Sequence, residues 1–185
     1  MGEEIDKKIL SDEECARCIY SPFHYSESKN KLKREAFLPK TGDDCISLLR
    51  LRYCDYNYCI NHGIKISNPP DKIFCVIAVL TQNILTALNE DFDTDELKAS
   101  IVYSPMNGND YVDTQIPVYV NDANVSTPMH ADIKYNKIVQ IGEVQTQMRR
   151  YASELCKRVK YAKISDIKNG VWYQKAEFEE NNKIV

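Results

Sequence analysis

The stretch Asp43–His62, DDCISLLRLRYCDYNYCINH, joins a run of apolar residues to a dense group of polar side chains. Its first part, Ile46–Arg52, partly alternates apolar and polar residues, and this pattern predicts a β-strand with one buried face. Side chains two residues apart on a strand point to the same face, so Arg50 and Arg52 should lie together. We therefore expect the rest of the domain to be arranged around this strand.

Arg50 and Arg52 have two interpretations. Two guanidinium groups on one face repel each other unless water, carboxylates or an anionic ligand surrounds them. One interpretation is a solvated face whose arginines pair with acidic residues. The other is an anion-binding face for phosphate or carboxylate, because each guanidinium can donate paired hydrogen bonds. The Ser47 side chain should point to the opposite face of the predicted strand from Arg50 and Arg52, so it does not obviously contribute to such a site.

Five candidate metal ligands fall in two groups. Cys54, Cys59 and His62 follow the predicted strand with the spacing C-x4-C-x2-H, and Cys15 and Cys18 form C-x2-C upstream. C-x2-C is a frequent half of structural zinc sites, and four of these five residues would complete a tetrahedral zinc ion. The alternative is that the cysteines are buried thiols without a cofactor, because cysteine is also a common small core residue.

Length and composition indicate one soluble domain. The 185 residues are 43% hydrophobic and 28% charged, with a formal net charge of -3. This charge does not favour nucleic acid as a partner. The longest apolar run, Ile73–Leu80, is too short to cross a bilayer, so no membrane association is expected. The first residues lack the apolar core of a signal peptide, and we expect a cytoplasmic protein with reduced thiols.

The apolar patterns predict an α+β fold. The period of the apolar residues predicts a long helix from about Val144 to Tyr161, and Thr81–Asn89 suits a shorter one. Cys15–Tyr20 suits either a capped helical turn or a strand. Strands are predicted at Ile73–Leu80, Ile101–Tyr103, Ile116–Val120 and Met129–Tyr135. We therefore expect a single α+β domain over residues 1–185, with a mixed or mainly antiparallel sheet of about five or six strands and the long C-terminal helix packed on one face. Residues 1–10 and 177–185 are expected to be mobile ends.

His130 and Asp132 are candidate catalytic residues. They lie two apart on the predicted strand Met129–Tyr135 and should therefore share a face. A carboxylate beside an imidazole can orient it for proton transfer, or both can bind a metal ion. The alternative is a hydrated strand face without a function, since no nucleophile elbow, phosphate loop or metalloprotease helix accompanies the pair.

Four short motifs are spread along the chain: Arg17-x-Ile19-x-x-Pro22, Ala36-Phe37, Ile46-Ser47-x-x-Arg50 and His130-Ala131-Asp132-Ile133. Their layout resembles that of a loose group of small bacterial single-domain proteins, over roughly residues 15–160. The resemblance implies a bacterial source and an association with a defence or toxin system, but no particular reaction. It also implies pocket roles for Arg17, Ser47, Arg50 and His130.

Two functions follow from these observations. The first is a cytoplasmic binding or accessory module that acts with a protein partner and is stabilised by zinc if the cysteine groups bind it. The second is an enzyme that acts on a nucleotide, NAD or a nucleic-acid phosphate. In the enzyme, Arg17 and Arg50 would hold a small anionic ligand and His130 would transfer protons. This second function requires the three side chains to converge on one cleft.

Overall fold

A computed structural model describes residues 2–92, 97–139, 142–167 and 169–171 of the chain. The strands are β1 (Cys15–Ser21), β2 (Tyr25–Ser26), β3 (Lys31–Leu32), β4 (Cys45–Arg50), β5 (Ile73–Leu80), β6 (Ala99–Tyr103), β7 (Met106–Asn107), β8 (Asp110–Tyr111), β9 (His130–Tyr135) and β10 (Lys160–Lys163). The helices are α1 (Tyr56–Ile66), α2 (Gln82–Asp91), α3 (Glu143–Arg158) and α4 (Ile164–Ile167), with a 3-10 helix at Arg34–Phe37. The predicted mobile end at 177–185 lies outside the described residues.

Six strands form the central sheet in the order β10-β5-β1-β4-β9-β6, and every neighbouring pair in it is antiparallel. The strands β2 and β3 form one small two-stranded sheet, and β7 and β8 form another. The α+β prediction of a single domain, with a mainly antiparallel sheet of five or six strands, is confirmed.

The two faces of the sheet bury different groups of residues. On β1, Cys15 and Ile19 belong to the core beneath α2 and α3, whereas Cys18 and Tyr20 belong to the core beneath α1. This division follows from the strand period, because successive side chains point to opposite faces. The near-continuous apolar sequence of β5 suits this position, since both faces of the strand are covered.

Helix α3 is the predicted long C-terminal helix, and it packs on one face of the sheet. Its buried side chains, Met148, Tyr151, Ala152, Leu155 and Cys156, recur at the helical period. The helix ends at Arg158, earlier than the predicted Tyr161, because Lys160–Lys163 pairs with β5 as an edge strand. Pairing with a sheet therefore overrides the helical pattern of the last residues.

Two predicted segments differ from the structure. No helix was predicted directly after β4, but Tyr56–Ile66 forms α1, which Asp55 caps by accepting a hydrogen bond from the Tyr58 amide. We also expected a strand at Ile116–Val120, but this segment contributes only the bridge between Tyr119 and Glu4. Strand propensity alone does not form a strand where no neighbouring edge is available for pairing.

The N-terminal segment packs on the domain. We expected a mobile end at 1–10, but Ile5 is 1% exposed and its amide donates to the Val118 carbonyl at 2.9 Å. The Asp6 amide donates to the Tyr53 hydroxyl at 2.9 Å. These contacts attach residues 4–6 to the same face of the sheet as α1.

Strands β1 and β4 separate after a short contact. Their register contains two residue pairs, Cys15 with Arg50 and Ala16 with Leu49. Strand β1 then continues along β5 as far as Ser21, and β4 continues along β9. A gap therefore opens inside the sheet between two central strands. Among the described residues no helix combines the length and the apolar character that crossing a membrane requires.

Gly63 allows α1 to approach the sheet closely, and it generates a stability prediction. A Cβ atom at this position would lie 2.8 Å from ring atoms of Phe74 on β5. Helix propensity alone favours alanine over glycine by about 1 kcal/mol. We nevertheless expect Gly63→Ala to lower the free energy of unfolding by about 1–3 kcal/mol net, because overpacking a filled core strains it. Urea unfolding measures the change.

Asn61→Ala, at an exposed position of α1, is the control and should leave stability nearly unchanged. Adding Phe74→Leu to Gly63→Ala should recover part of the loss, because it removes ring atoms from the contact. A Gly63→Ala protein as stable as the parent would contradict the close approach.

Candidate functional site

A cavity of about 990 Å³ lies where β1 and β4 separate. Side chains from β1, β4, β9 and α1 line it, together with the segment 38–43. All three histidines of the chain are among the lining residues, as are three cationic residues: Arg17, Lys40 and Lys72. The cavity is of the size that holds small-molecule ligands.

Arg17 lies in the gap between the two strands. Its Nε donates to the Ala36 carbonyl at 3.1 Å and its Nη1 donates to the Ser47 carbonyl at 2.9 Å. The Arg17 guanidinium thus donates a hydrogen bond to the Ser47 carbonyl in place of the backbone hydrogen bond between β1 and β4, which are not paired at Ser47. Burial lowers the pKa of Arg17, and no carboxylate of the described residues forms a salt bridge with it.

Lys72 adds a second positive charge, just before β5. Its Nζ lies 4.1 Å from the centroid of the Tyr20 ring. Burial lowers the pKa of Lys72, and the charges of Arg17 and Lys40 lower it further. The salt bridges among the described residues include neither Lys72 nor Lys40. Arg17, Lys40 and Lys72 therefore bring three positive charges to one region, and no salt bridge among the described residues neutralises them.

Two carboxylates also line the cavity, but neither pairs with these cations. Glu35 binds Arg34 at 3.1 Å. Asp43 is exposed and accepts a hydrogen bond from the Cys45 thiol at 3.6 Å. The cavity consequently has an excess of positive charge, although the chain as a whole has a formal net charge of -3.

His24 is a neutral imidazole beside the cations. Its Nδ1 is buried and has no hydrogen-bond partner among the described residues. Burial lowers the pKa of His24 to about 3, and the charges of Arg17 and Lys72 add to the effect. The amide of His24 donates to the Tyr20 carbonyl at 2.7 Å, which closes the turn after β1.

His130 and Asp132 are both buried on β9, and His130 also lines the cavity. The His130 Nδ1 lies 2.7 Å from the Ser104 carbonyl oxygen. A carbonyl only accepts, so Nδ1 carries the proton and Nε2 has the free lone pair in the neutral ring. Burial lowers the pKa of His130 and favours this neutral form.

Asp132 leaves one oxygen unsatisfied. Its Oδ2 accepts hydrogen bonds from the Ser104 hydroxyl at 2.7 Å and the Tyr111 hydroxyl at 3.1 Å. Its Oδ1 is buried without a hydrogen-bond partner among the described residues and lies 3.9 Å from His130 Nε2. Two acceptors thus face each other, an arrangement that a proton or a donor group between them would stabilise.

His62 lines this cavity together with Cys18, whereas the other predicted zinc ligands, Cys15, Cys54 and Cys59, are not among its lining residues. It belongs to α1, and its ring stacks on Tyr58 with 6.2 Å between centroids. Burial lowers the pKa of His62, and the imidazole of His130 contributes to the shift. Helix α1 and strand β9 therefore bring two imidazoles to one cavity.

The structure does not gather the five predicted zinc ligands. Cys54 Sγ and Cys59 Sγ are 4.0 Å apart, and Cys18 Sγ is 3.6 Å from the Cys59 carbonyl. Cys15 belongs to the core on the opposite face of the sheet, because it is three residues from Cys18 on one strand. Burial raises the pKa of the Cys18 thiol to about 11, which favours the protonated thiol.

Another group of candidate metal ligands occurs among the described residues. Ligand atoms of Asp43, Asp44 and Cys45 lie within 4.8 Å of one another. Asp44 is already paired with Lys134 at 2.8 Å, and Asp43 is exposed. Exposed acidic groups are common without a metal ion, so we assign none to this group.

Of the four predicted anion-binding residues, the cavity contains Arg17 and Ser47. Arg50 is fully buried elsewhere, where its Nε and Nη2 bind the Glu13 carboxylate at 2.5 and 2.9 Å. Arg52 follows the end of β4, and its guanidinium lies 5.5 Å from the Tyr53 ring centroid. The predicted convergence of Arg17, Arg50 and His130 is therefore absent, because Arg50 is not a lining residue.

Sequence reasoning did not identify Lys40, Lys72 or His24 as site residues. Lys72 follows Pro69-Pro70-Asp71, and adjacent prolines predict a turn or a break in the chain but no site. The register places Ile73 opposite Ser21, so Lys72 comes beside the turn that carries His24. No local pattern contains this information, because it depends on the pairing of β1 with β5.

The lowered pKa of His24, about 3, predicts how stability depends on pH. In the unfolded chain a histidine titrates at about 6.5. Between these values the unfolded state binds a proton that the folded state does not, so stability falls as the pH decreases through this window. We expect His24→Gln to weaken this dependence by up to one proton, as measured by urea unfolding at several pH values.

The proton NMR signal of the His24 ring provides the direct check. It should stay constant between about pH 7 and pH 5, where an ordinary histidine titrates. A midpoint at about 6.5 would show that the ring is not held neutral.

No family model, curated protein or solved structure matches the chain. Function is therefore inferred from the cavity residues themselves, and the resemblance of the four short motifs stays a prediction.

Proposed function

We propose that this protein is a binding module whose cavity takes a small ligand with a phosphate or carboxylate group. The observation that carries the proposal is the presence of Arg17, Lys40 and Lys72 in one cavity without a carboxylate partner among the described residues. Like charges that share a partly buried site repel one another. A bound anion would relieve this repulsion.

Arg17 retains hydrogen-bonding capacity for such a ligand. A guanidinium has five N–H donors in a planar fork. Two of them bind the carbonyls of Ala36 and Ser47, and the others have no acceptor among the described residues. The two carbonyls also fix the orientation of the group, so little entropy is lost when it binds a ligand.

Other parts of the predicted function stay predictions. A protein partner and an association with a defence or toxin system have no contact or comparison that bears on them, and zinc stabilisation is not proposed because the five predicted ligands are not gathered. Nucleic acid is not favoured as a partner, because the basic residues of the site line a concave cavity that suits a small ligand.

Titration with inorganic phosphate, followed by calorimetry, tests the anion site. We expect Arg17→Met and Lys72→Met each to weaken phosphate binding by about tenfold or more, because each removes a charge from the cavity. Binding should also weaken as salt is added. Arg52→Met is the matched control, because Arg52 is exposed and does not line the cavity.

Lys72→Met distinguishes a loss of ligand binding from a loss of fold stability. Arg17 links β1 to β4, so its loss also affects stability, whereas the Lys72 Nζ makes no hydrogen bond with the described backbone. If the folded parent protein binds neither phosphate nor a carboxylate such as citrate, the proposed function is wrong.

A second candidate function is catalysis on the bound anion, and the pair His130 and Asp132 favours it. The free lone pair of His130 Nε2 can accept a proton from water or from a ligand hydroxyl. Asp132 Oδ1, 3.9 Å away and without a partner, would stabilise the imidazolium that forms. The positive residues of the cavity would hold the phosphate while the deprotonated oxygen forms a bond to phosphorus and the bond from phosphorus to the leaving oxygen breaks. The imidazolium of His130 would then return its proton to the leaving oxygen.

Incubation with NAD, nucleoside phosphates and RNA tests this candidate. We expect one of these substrates to be consumed, and His130→Ala to abolish turnover while phosphate affinity stays within about threefold, which corresponds to about 0.65 kcal/mol. Asp132→Asn should lower turnover in the same direction. If none is consumed, or if His130→Ala retains the parent rate, catalysis by His130 is excluded and the binding function is unaffected.

A further inference from the structure

The cavity contains apolar surface as well as positive charge. Phe23 and Ile66 line it and are 57% and 43% exposed, although both are large apolar residues. Deeper in the cavity Ala16 and Leu49 add buried apolar side chains, and Tyr20 adds an aromatic ring. Apolar side chains that remain exposed at a cavity mark a site for an apolar group of a ligand or partner.

The exposed aromatic ring lies close to the cations. Phe23 belongs to the turn that the hydrogen bond from the His24 amide to the Tyr20 carbonyl closes. Lys72 lies over the Tyr20 ring, and the register pairs Ser21 with Ile73, the residue after Lys72. The turn that carries Phe23 and the Lys72 ammonium are consequently neighbours at one part of the cavity.

The size of the cavity also argues against an isolated anion. A volume of about 990 Å³ is far larger than a phosphate ion, whose share of space is comparable to a few water molecules at about 30 Å³ each. Pockets of this size usually surround a ligand with several rings or a chain, held by a few polar groups that orient it.

We propose that the ligand is a monophosphate joined to a flat ring system. The phosphate binds Arg17 and Lys72, and the ring packs on Phe23 and Ile66. This inference rests on the proposed function, because it uses the same cations for the phosphate. Phenyl phosphate and a nucleoside monophosphate share this chemistry, and both stack on an aromatic side chain through a planar face.

A calorimetric comparison of four probes tests the inference. The probes are inorganic phosphate, glycerol 3-phosphate, phenyl phosphate and adenosine monophosphate. We expect the two ring-bearing phosphates to bind at least about tenfold more tightly than the other two, because they bury apolar surface. Phe23→Ser should remove most of this gain and leave the affinity for inorganic phosphate unchanged.

Ile116→Ser is the matched control, because Ile116 is 63% exposed and does not line the cavity. It should leave the affinities for all four probes unchanged. A gain for adenosine monophosphate beyond phenyl phosphate supports a nucleoside ligand, and equal gains support the shared ring chemistry.

The outcomes separate this inference from the proposed function. Phosphate binding that depends on Lys72, with no gain from a ring, overturns the inference and leaves the anion site in place. A ring gain that persists in Phe23→Ser overturns the assignment of the ring to this part of the cavity. If none of the four probes binds, both the proposed function and the inference fail.

Discussion

The separation of β1 from β4 is the constraint on which the site depends. Two antiparallel neighbours that pair over only two residues leave backbone carbonyls without ladder partners. Arg17 supplies a donor to the Ser47 carbonyl and a second to Ala36 of the 3-10 helix. The charged side chain of Arg17 thereby satisfies carbonyls that strand pairing leaves free, and it also lines the cavity between the two strands.

Two arginines illustrate how surroundings decide the role of a residue. Four of the five N–H donors of the Arg50 guanidinium bind the Glu13 carboxylate and the carbonyls of Asp6 and Lys8. A buried guanidinium that is paired with a carboxylate and has most of its donors used stabilises its neighbours and offers little to a ligand. Among the described residues Arg17 donates hydrogen bonds only to neutral carbonyls, and the Asp132 carboxylate acts on its charge without forming a salt bridge. This difference in hydrogen-bond partners, and not burial itself, makes Arg17 the candidate residue for binding an anion.

The imidazoles extend the same reasoning. Burial lowers the pKa values of His24, His62 and His130, so all three favour the neutral form. Neutral rings add no further repulsion to a cavity that already contains three cations. A bound anion would favour their protonation. The proposed anion site and the candidate acid–base residue His130 are therefore electrostatically linked, because both line the same cavity.

Local patterns in the sequence determined the α+β class, the buried strand β5, the strand β9 with His130 and Asp132, and most of helix α3. These features depend on periods of two or 3.6 residues, which neighbouring residues reveal directly. The alternatives at Cys15–Tyr20 were decided only by pairing with β5, which made the segment a strand and placed Cys15 and Cys18 in separate cores. Likewise, the cavity and the grouping of its cations depend on pairing between strands that are distant in the sequence. The sequence contains Arg17 and Lys72, but only the tertiary structure brings them together, because their proximity depends on how β1 pairs with β5 and departs from β4.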